Sequence, residues 1–200
     1  MWGGGSSVDL KEQLVEVCHQ LYQRKLVSST GGNVSVRTER GLYITPTGYS
    51  LGEVTKEDIV EITLDGEILN GGQPSKEWRF HSSILKLRDD VHAVIHAHPA
   101  YTVAVSCRKD LNFADAMPRL TPGYIARVGK LPAVPYAPPG SEELAQNVLE
   151  VLRHHHAVLM QNHGVTVIAK DLRHAFIILE EIEENAHIYL LLGQDYHALS

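Results

Sequence analysis

Thr30-Gly31-Gly32-Asn33-Val34-Ser35-Val36-Arg37, with Gly41-Leu42-Tyr43-Ile44 just after it, decides the fold. The glycine pair breaks the helical pattern that precedes it and opens a loop. Val34 to Arg37 then alternates apolar and polar residues with the period of a strand, and Gly41 to Ile44 returns as its hairpin partner. Upstream, Val8 to Leu26 places Leu10, Leu14, Val17, Leu21 and Tyr22 on one helical stripe. Downstream, Thr45-Pro46-Thr47-Gly48 is a turn. Ile59 to Leu64 and Glu67-Ile68-Leu69 form a second hairpin across the two-residue turn Asp65-Gly66. The spacing then predicts a helix over Lys76 to Arg88, a strand over Val91 to His98 and a short helix over Ala100 to Cys107. Asp110 to Arg119 reads as loop, and Thr121 to Val134 as turns and short elements. A helix follows over Ser141 to Arg153, capped by Ser141 with Glu142 and Glu143 in its first turn. Ala157 to Met160 and Val165 to Ala169 are strands, and Leu172 to Leu192 is a long helix. Hairpins with helices between them, and no strict strand–helix alternation, predict a three-layer α/β/α or α+β domain.

The bulk numbers bound the function. Residues 8–200 suffice for one domain with its own core, and 44% hydrophobic and 21% charged residues are globular values. Met1 to Ser7 is rich in Gly and Ser and lacks the pattern of a signal peptide, so it reads as a disordered leader or a cloning remnant. A net charge of −6 argues against a nucleic-acid surface. No apolar run is long enough for a membrane span. Cys18 and Cys107 suggest neither a disulfide framework nor a metal motif, which fits a reducing, cytoplasmic setting.

Twelve histidines are many for this length, and spacing sorts them. His154-His155-His156 reads as a solvated strand entry. His96-Ala97-His98 places two imidazoles on one face of a strand, at an end that Pro99 marks. His163 sits in the turn Asn162-His163-Gly164 between two apolar strands. Glu77 falls in the first turn of a helix, where the dipole favours a carboxylate. Three His and one Glu make a site of the zinc type, with Glu77 as ligand, base or both. His81, four residues after Glu77, reads as support or packing, and His92 lies too far back on its strand.

Five stretches carry a resemblance: Thr30 to Arg37, Ile44-Thr45-Pro46-Thr47-Gly48, Pro74-Ser75-Lys76-Glu77-Trp78-Arg79-Phe80-His81, His96-Ala97-His98-Pro99 and Asn162-His163-Gly164. In this order they resemble the class II aldolase/adducin family over nearly the whole chain. The resemblance implies a three-layer fold with a central, mostly antiparallel sheet. It implies Zn2+ or a similar ion (Mn2+, Co2+) on His96, His98 and His163. It gives Glu77 the proton-transfer role beside the metal, and it implies a homotetramer with sites at subunit interfaces. The substrate phosphate is expected on Gly32, Asn33, Thr47, Gly48 and Ser75, in turns and at a helix start that suit anions, with Lys76 adding a cation. A catalytic tyrosine is expected from a neighbouring subunit, and Tyr124 lies in about that region.

The implied reaction is metal-dependent carbon–carbon cleavage of a small phosphorylated ketose through an enolate, as in the aldolases. The second reading is decarboxylation of a 3-oxo-tetronate phosphate. Ser75-Lys76-Glu77, Thr121-Pro122 and Val134-Pro135-Tyr136 resemble the decarboxylase branch, whereas Trp78-Arg79-Phe80-His81 resembles the fuculose-phosphate aldolase branch. The third is a non-catalytic, adducin-like interaction module, which loss of the ligands would mark.

Overall fold

The computed structural model describes residues 9–200; Met1 to Ser7 and Val8 lie outside the described residues. Asp9 starts α1 (Leu10–Gln23) by accepting from the Lys11 N–H at 2.9 Å, and Leu14, Val17, Cys18 and Leu21 form its buried stripe. The chain leaves the helix where Lys25 takes a left-handed φ of 59°. The strands β1 (Asn33–Arg37), β2 (Leu42–Ile44), β3 (Val60–Ile62) and β4 (Ile68–Asn70) follow as a meander. Next come α2 (Trp78–Leu87), β5 (Ala93–Ala97), α3 (Ala100–Ser106) and α4 (Pro122–Arg127). The chain closes with β6 (Ala133–Val134), α5 (Glu142–Leu152), β7 (Ala157–Met160), β8 (Gly164–Ala169) and α6 (Leu172–Leu191).

The eight strands form one sheet in the order β4-β3-β2-β1-β5-β8-β7-β6. Every neighbouring pair is antiparallel except β6 with β7. Leu14 of α1, Val105 of α3, Tyr124 of α4 and Leu179 of α6 pack on one face with Val34, Val36, Ile95 and Val167. Ile84 and Leu85 of α2 and Leu144 and Val148 of α5 pack on the other with Leu42, Val94, Val158 and Ile168. The architecture is thus three-layer α/β/α with a mostly antiparallel sheet. Strand periodicity puts His96 on the α2/α5 face with Val94, while Ala93, Ile95 and Ala97 face α6.

Two local expectations are corrected. The turn between β3 and β4 is longer than Asp65-Gly66. The Thr63 N–H donates to the Glu67 carbonyl and the Gly66 N–H to the Thr63 carbonyl, so Leu64, Asp65 and Gly66 form the loop, with Gly66 at φ 93°. The Lys76-to-Arg88 helix starts only at Trp78, and Glu77 is its N-cap residue at φ −89° and ψ 13°.

The polar face of β1 grips α2 along its length. The Asn33 amide donates to Glu77 at 2.9 Å, Ser35 Oγ meets His81 Nδ1 at 2.6 Å, and Arg37 donates to the Leu85 carbonyl at 2.6 Å. Two residues along a strand cover about 6.6 Å and four along a helix about 6 Å. Strand positions 33, 35 and 37 therefore stay in step with helix positions 77, 81 and 85.

Candidate metal centre

Sheet register assembles the site. Antiparallel pairing sets Asn33 opposite His96 on one side and Thr166 opposite His96 on the other. His163 is held in the tight β7–β8 turn, where its N–H donates to the Met160 carbonyl and Asn162 takes φ 55°. Strand β5 ends at Ala97, so His98 lies just beyond it rather than inside it as expected. Its ring still reaches His96, with the two Nε2 atoms 3.0 Å apart.

The hydrogen bonds fix a tautomer. His96 is buried, and its Nδ1 lies 3.1 Å from the Val165 carbonyl oxygen and 3.2 Å from Thr166 Oγ1. A carbonyl oxygen only accepts, so Nδ1 carries the proton and the Nε2 lone pair is bare. That lone pair points toward His98. The His163 ring lies 5.0 Å from His96 and 5.1 Å from His98, centroid to centroid. One nitrogen from each ring lies within 4.8 Å of the others. The Nδ1 of His163 is buried without a hydrogen-bond partner among the described residues. Burial pushes all three imidazoles below their ordinary pKa, and for His96 the neighbouring His98 and His163 push further. Neutral, converging imidazoles fit a borderline-soft divalent cation, and the Val165 carbonyl supplies the outer hydrogen bond that orients such ligands.

Glu77 Oε2 stands 3.8 Å from His96 Nε2 and takes the Asn33 hydrogen bond. It lies beside the imidazole trio and outside that tight group of donors. The loops expected to hold phosphate are tied to each other: Ser75 N–H donates to the Thr45 carbonyl, Thr47 N–H donates to the Gln73 carbonyl, and Pro46 bridges Pro74. Gly32 and Gly48 take φ of 83° and 77° at the two bends.

A cavity of about 540 Å³ joins these parts. Gly32, Asn33, Thr47, Gly48, Ser75, Lys76, Glu77, His96, His98 and His163 all line it. Tyr136, which the sequence offered only within Val134-Pro135-Tyr136 and with no stronger claim than Tyr124 as the catalytic tyrosine, lines it too. A second cavity of about 340 Å³ between α2 and α5 meets the first at Lys76, Glu77, His96 and His163. It adds Arg79, Phe80, Glu142, Leu144 and Met160. The Arg79 guanidinium stacks 4.6 Å from the Trp78 ring.

Tyr124 is not brought to the site. It is fully buried against the α6 layer, its hydroxyl has no partner among the described residues, and it lines neither cavity. Burial pushes its phenol far up. A phenol with no exposed surface does not reach this cavity, and the catalytic part expected of Tyr124 rests on the resemblance alone. Sequence reasoning also passed over Ser35, whose place two residues from Asn33 on one strand face was the available signal.

The family model for the Class II Aldolase and Adducin N-terminal domain matches residues 12–190. The chain belongs to the class II aldolase and adducin family. Among its family relatives, the 3-oxo-tetronate 4-phosphate decarboxylase of Pectobacterium atrosepticum is 37% identical over 92% of this chain and 84% of that protein. The L-fuculose phosphate aldolase of Methanococcus maripaludis is 38% identical over 93% of this chain and 98% of that protein. Of solved class II aldolase folds, YgbL of Escherichia coli superposes with a TM-score of 0.91 at 32% identity, covering 96% of this chain and 93% of YgbL. L-fuculose-1-phosphate aldolase from Thermus thermophilus superposes at 0.81 and 31%, covering 91% and 93%.

Proposed function

We propose that this chain is a metal-dependent lyase that breaks a carbon–carbon bond next to the carbonyl of a small phosphorylated sugar or sugar acid. One observation carries the reading: anion loops, three neutral imidazoles and the Glu77 carboxylate share one cavity. A divalent ion on His96, His98 and His163, with zinc first and Mn2+ or Co2+ as alternatives, supplies Lewis-acid stabilisation of charge on the substrate's carbonyl oxygen. Glu77 belongs to that ligand set in the resting protein and acts as the proton-transfer group when substrate enters. Gly32, Asn33, Thr47, Gly48 and Ser75 hold the phosphate.

Within this class the observations favour decarboxylation. The relatives name two substrates, and both reactions leave the same three-carbon ketose phosphate. In a 3-oxo-tetronate 4-phosphate the C1–C2 bond breaks, carbon dioxide leaves, and the electron pair passes through C2 toward the C3 oxygen. C2 then takes up one proton, which Glu77 accepts from water and delivers. This substrate carries two anions, and Lys76 and Arg79 stand beside Glu77 in the second cavity as cations for its carboxylate. Retro-aldol cleavage needs a further group, to take the proton from the hydroxyl on the leaving carbon. Tyr136 is placed to be that group, which supports the aldolase as the second reading.

The metal-loaded protein should release carbon dioxide from 3-oxo-tetronate 4-phosphate and leave fuculose 1-phosphate largely uncleaved. Aldehyde release from fuculose 1-phosphate without carbon dioxide from the acid would reverse the order, and no turnover of either would leave the non-catalytic module. The proposal includes a cytoplasmic homotetramer, supported by exposed Tyr101, Phe113, Leu191 and Leu192. Light scattering that gives a monomer removes the assembly.

A further inference from the structure

Behind Glu77 lies a chain of hydrogen bonds that the proposed reaction leaves unused. An asparagine side chain presents an acceptor and a donor of nearly equal shape, and only its partners decide which way round it sits. Asn33 donates from Nδ2 to Glu77, which obliges its Oδ1 to point the other way. There it meets His81 Nε2 at 2.5 Å. Oδ1 only accepts, so His81 Nε2 must carry the ring proton. The Nδ1 of a neutral ring is then bare, and it receives the Ser35 hydroxyl at 2.6 Å. Every link points the same way, from Ser35 through His81 and Asn33 to the carboxylate.

We infer that His81 is a positioning residue: with Ser35 behind it, its ring locks the Asn33 amide in the one orientation that aims the Glu77 carboxylate into the metal-and-anion cavity. This rests on Glu77 being the proton-transfer group. His81 has no exposed surface, and burial holds its ring at about 3, so it stays neutral. Ser35 is also fully buried and its hydroxyl meets only His81 Nδ1 among the described residues, so its proton goes to Nδ1 and the ring proton stays on Nε2. Were Asn33 turned over, its amino group would face the His81 N–H and its carbonyl would face the carboxylate. Both contacts would be repulsive. A histidine kept for packing alone would need neither a particular tautomer nor a serine behind it.

The test uses the metal-loaded protein with His81→Phe, which keeps a ring but removes both bonds, and His81→Gln, which keeps a donor for Asn33. The phenylalanine variant should still load metal on the three imidazoles, with kcat down about ten- to a hundredfold and KM little changed. The glutamine variant should recover part of that loss. In an Asn33→Ala background, His81→Phe should cost no further factor. A second arm needs no substrate. Nitrogen-15 NMR should find the His81 proton on Nε2, and Glu77→Gln should shift the Asn33 side-chain amide signal in the parent but not in His81→Phe. Ser35→Ala carries the same NMR comparison should the phenylalanine variant fail to fold. A ring proton on Nδ1, an Asn33 signal that answers Glu77→Gln equally in both backgrounds, or kcat losses that multiply would overturn the inference. Should no sugar phosphate turn over, the lyase reading fails and the NMR arm still decides the relay.

Discussion

His98 owes its place to missing side chains on either side of it. A Cβ on Gly164 would come within 2.7 Å of His98 Cδ2, and one on Gly31 within 3.3 Å of its Nδ1. A Cβ on Gly164 would meet the Ala97 carbonyl oxygen even more closely, so Gly164→Val should displace both the end of β5 and the His98 ring and weaken metal binding about tenfold to a hundredfold. A metal titration with unchanged affinity would show that the turn does not set the ring. Glu77→Gln should fold normally and slow turnover by roughly two to four orders of magnitude; stopped-flow rates near the parent's would take Glu77 out of the chemistry. Tyr136→Phe should spare decarboxylation, and a loss matching that of Glu77→Gln would favour the aldolase reading. The histidine cluster was legible because its spacing is local: two residues at a strand end and one in a tight turn. The burial of Tyr124 was not, because it depends on how α4 packs on α6 and leaves no mark in the neighbouring residues.

Strand β1 and helix α2 form the unit that carries Asn33 and Glu77. The near match of strand and helix rise lets Asn33, Ser35 and Arg37 hold the start, first turns and end of α2. Arg37 donates to carbonyls of Leu85, Arg88 and Val91, so a cation sits where the helix dipole is negative. Arg37→Ala leaves those buried acceptors to water and should cost on the order of 2 kcal/mol in urea unfolding. A change under about 0.5 kcal/mol would place it with ordinary surface residues. The alternation that marks β1 as a strand was visible in the sequence, and so was Glu77 near a helix start. The step between the two elements was not, since nothing local to either segment says which strand a helix crosses. The same limit applies to the β3–β4 turn. Asp65-Gly66 announces a bend, while the pairing of Thr63 with Glu67 fixes its length.

Across the whole molecule, pH acts through imidazoles that folding desolvates, with His81 and His96 fully buried, His163 half-buried and His98 exposed. His81, His96, His98 and His163 are all held below the ordinary value of 6.5. The unfolded chain takes up those protons near 6.5, while the folded chain does so only at lower pH. Their contribution is complete above about 6.5 and is lost as pH falls below it. The urea midpoint of metal-free protein should be level on the neutral side and drop on the acid side; a midpoint that rises on acidification contradicts the burial argument. Three layers were readable from hairpins with helices between them, while strand order depends on pairings distant in sequence, such as β1 with β5. If residues 8–200 act as one domain, that unfolding should be a single transition.

Elemental analysis of untagged protein, paired with turnover, tests the central claim most directly. The parent should hold about one divalent ion per chain, and His98→Ala should lose both the ion and the activity. Full turnover in the metal-free variant would contradict a reaction built on three converging imidazoles.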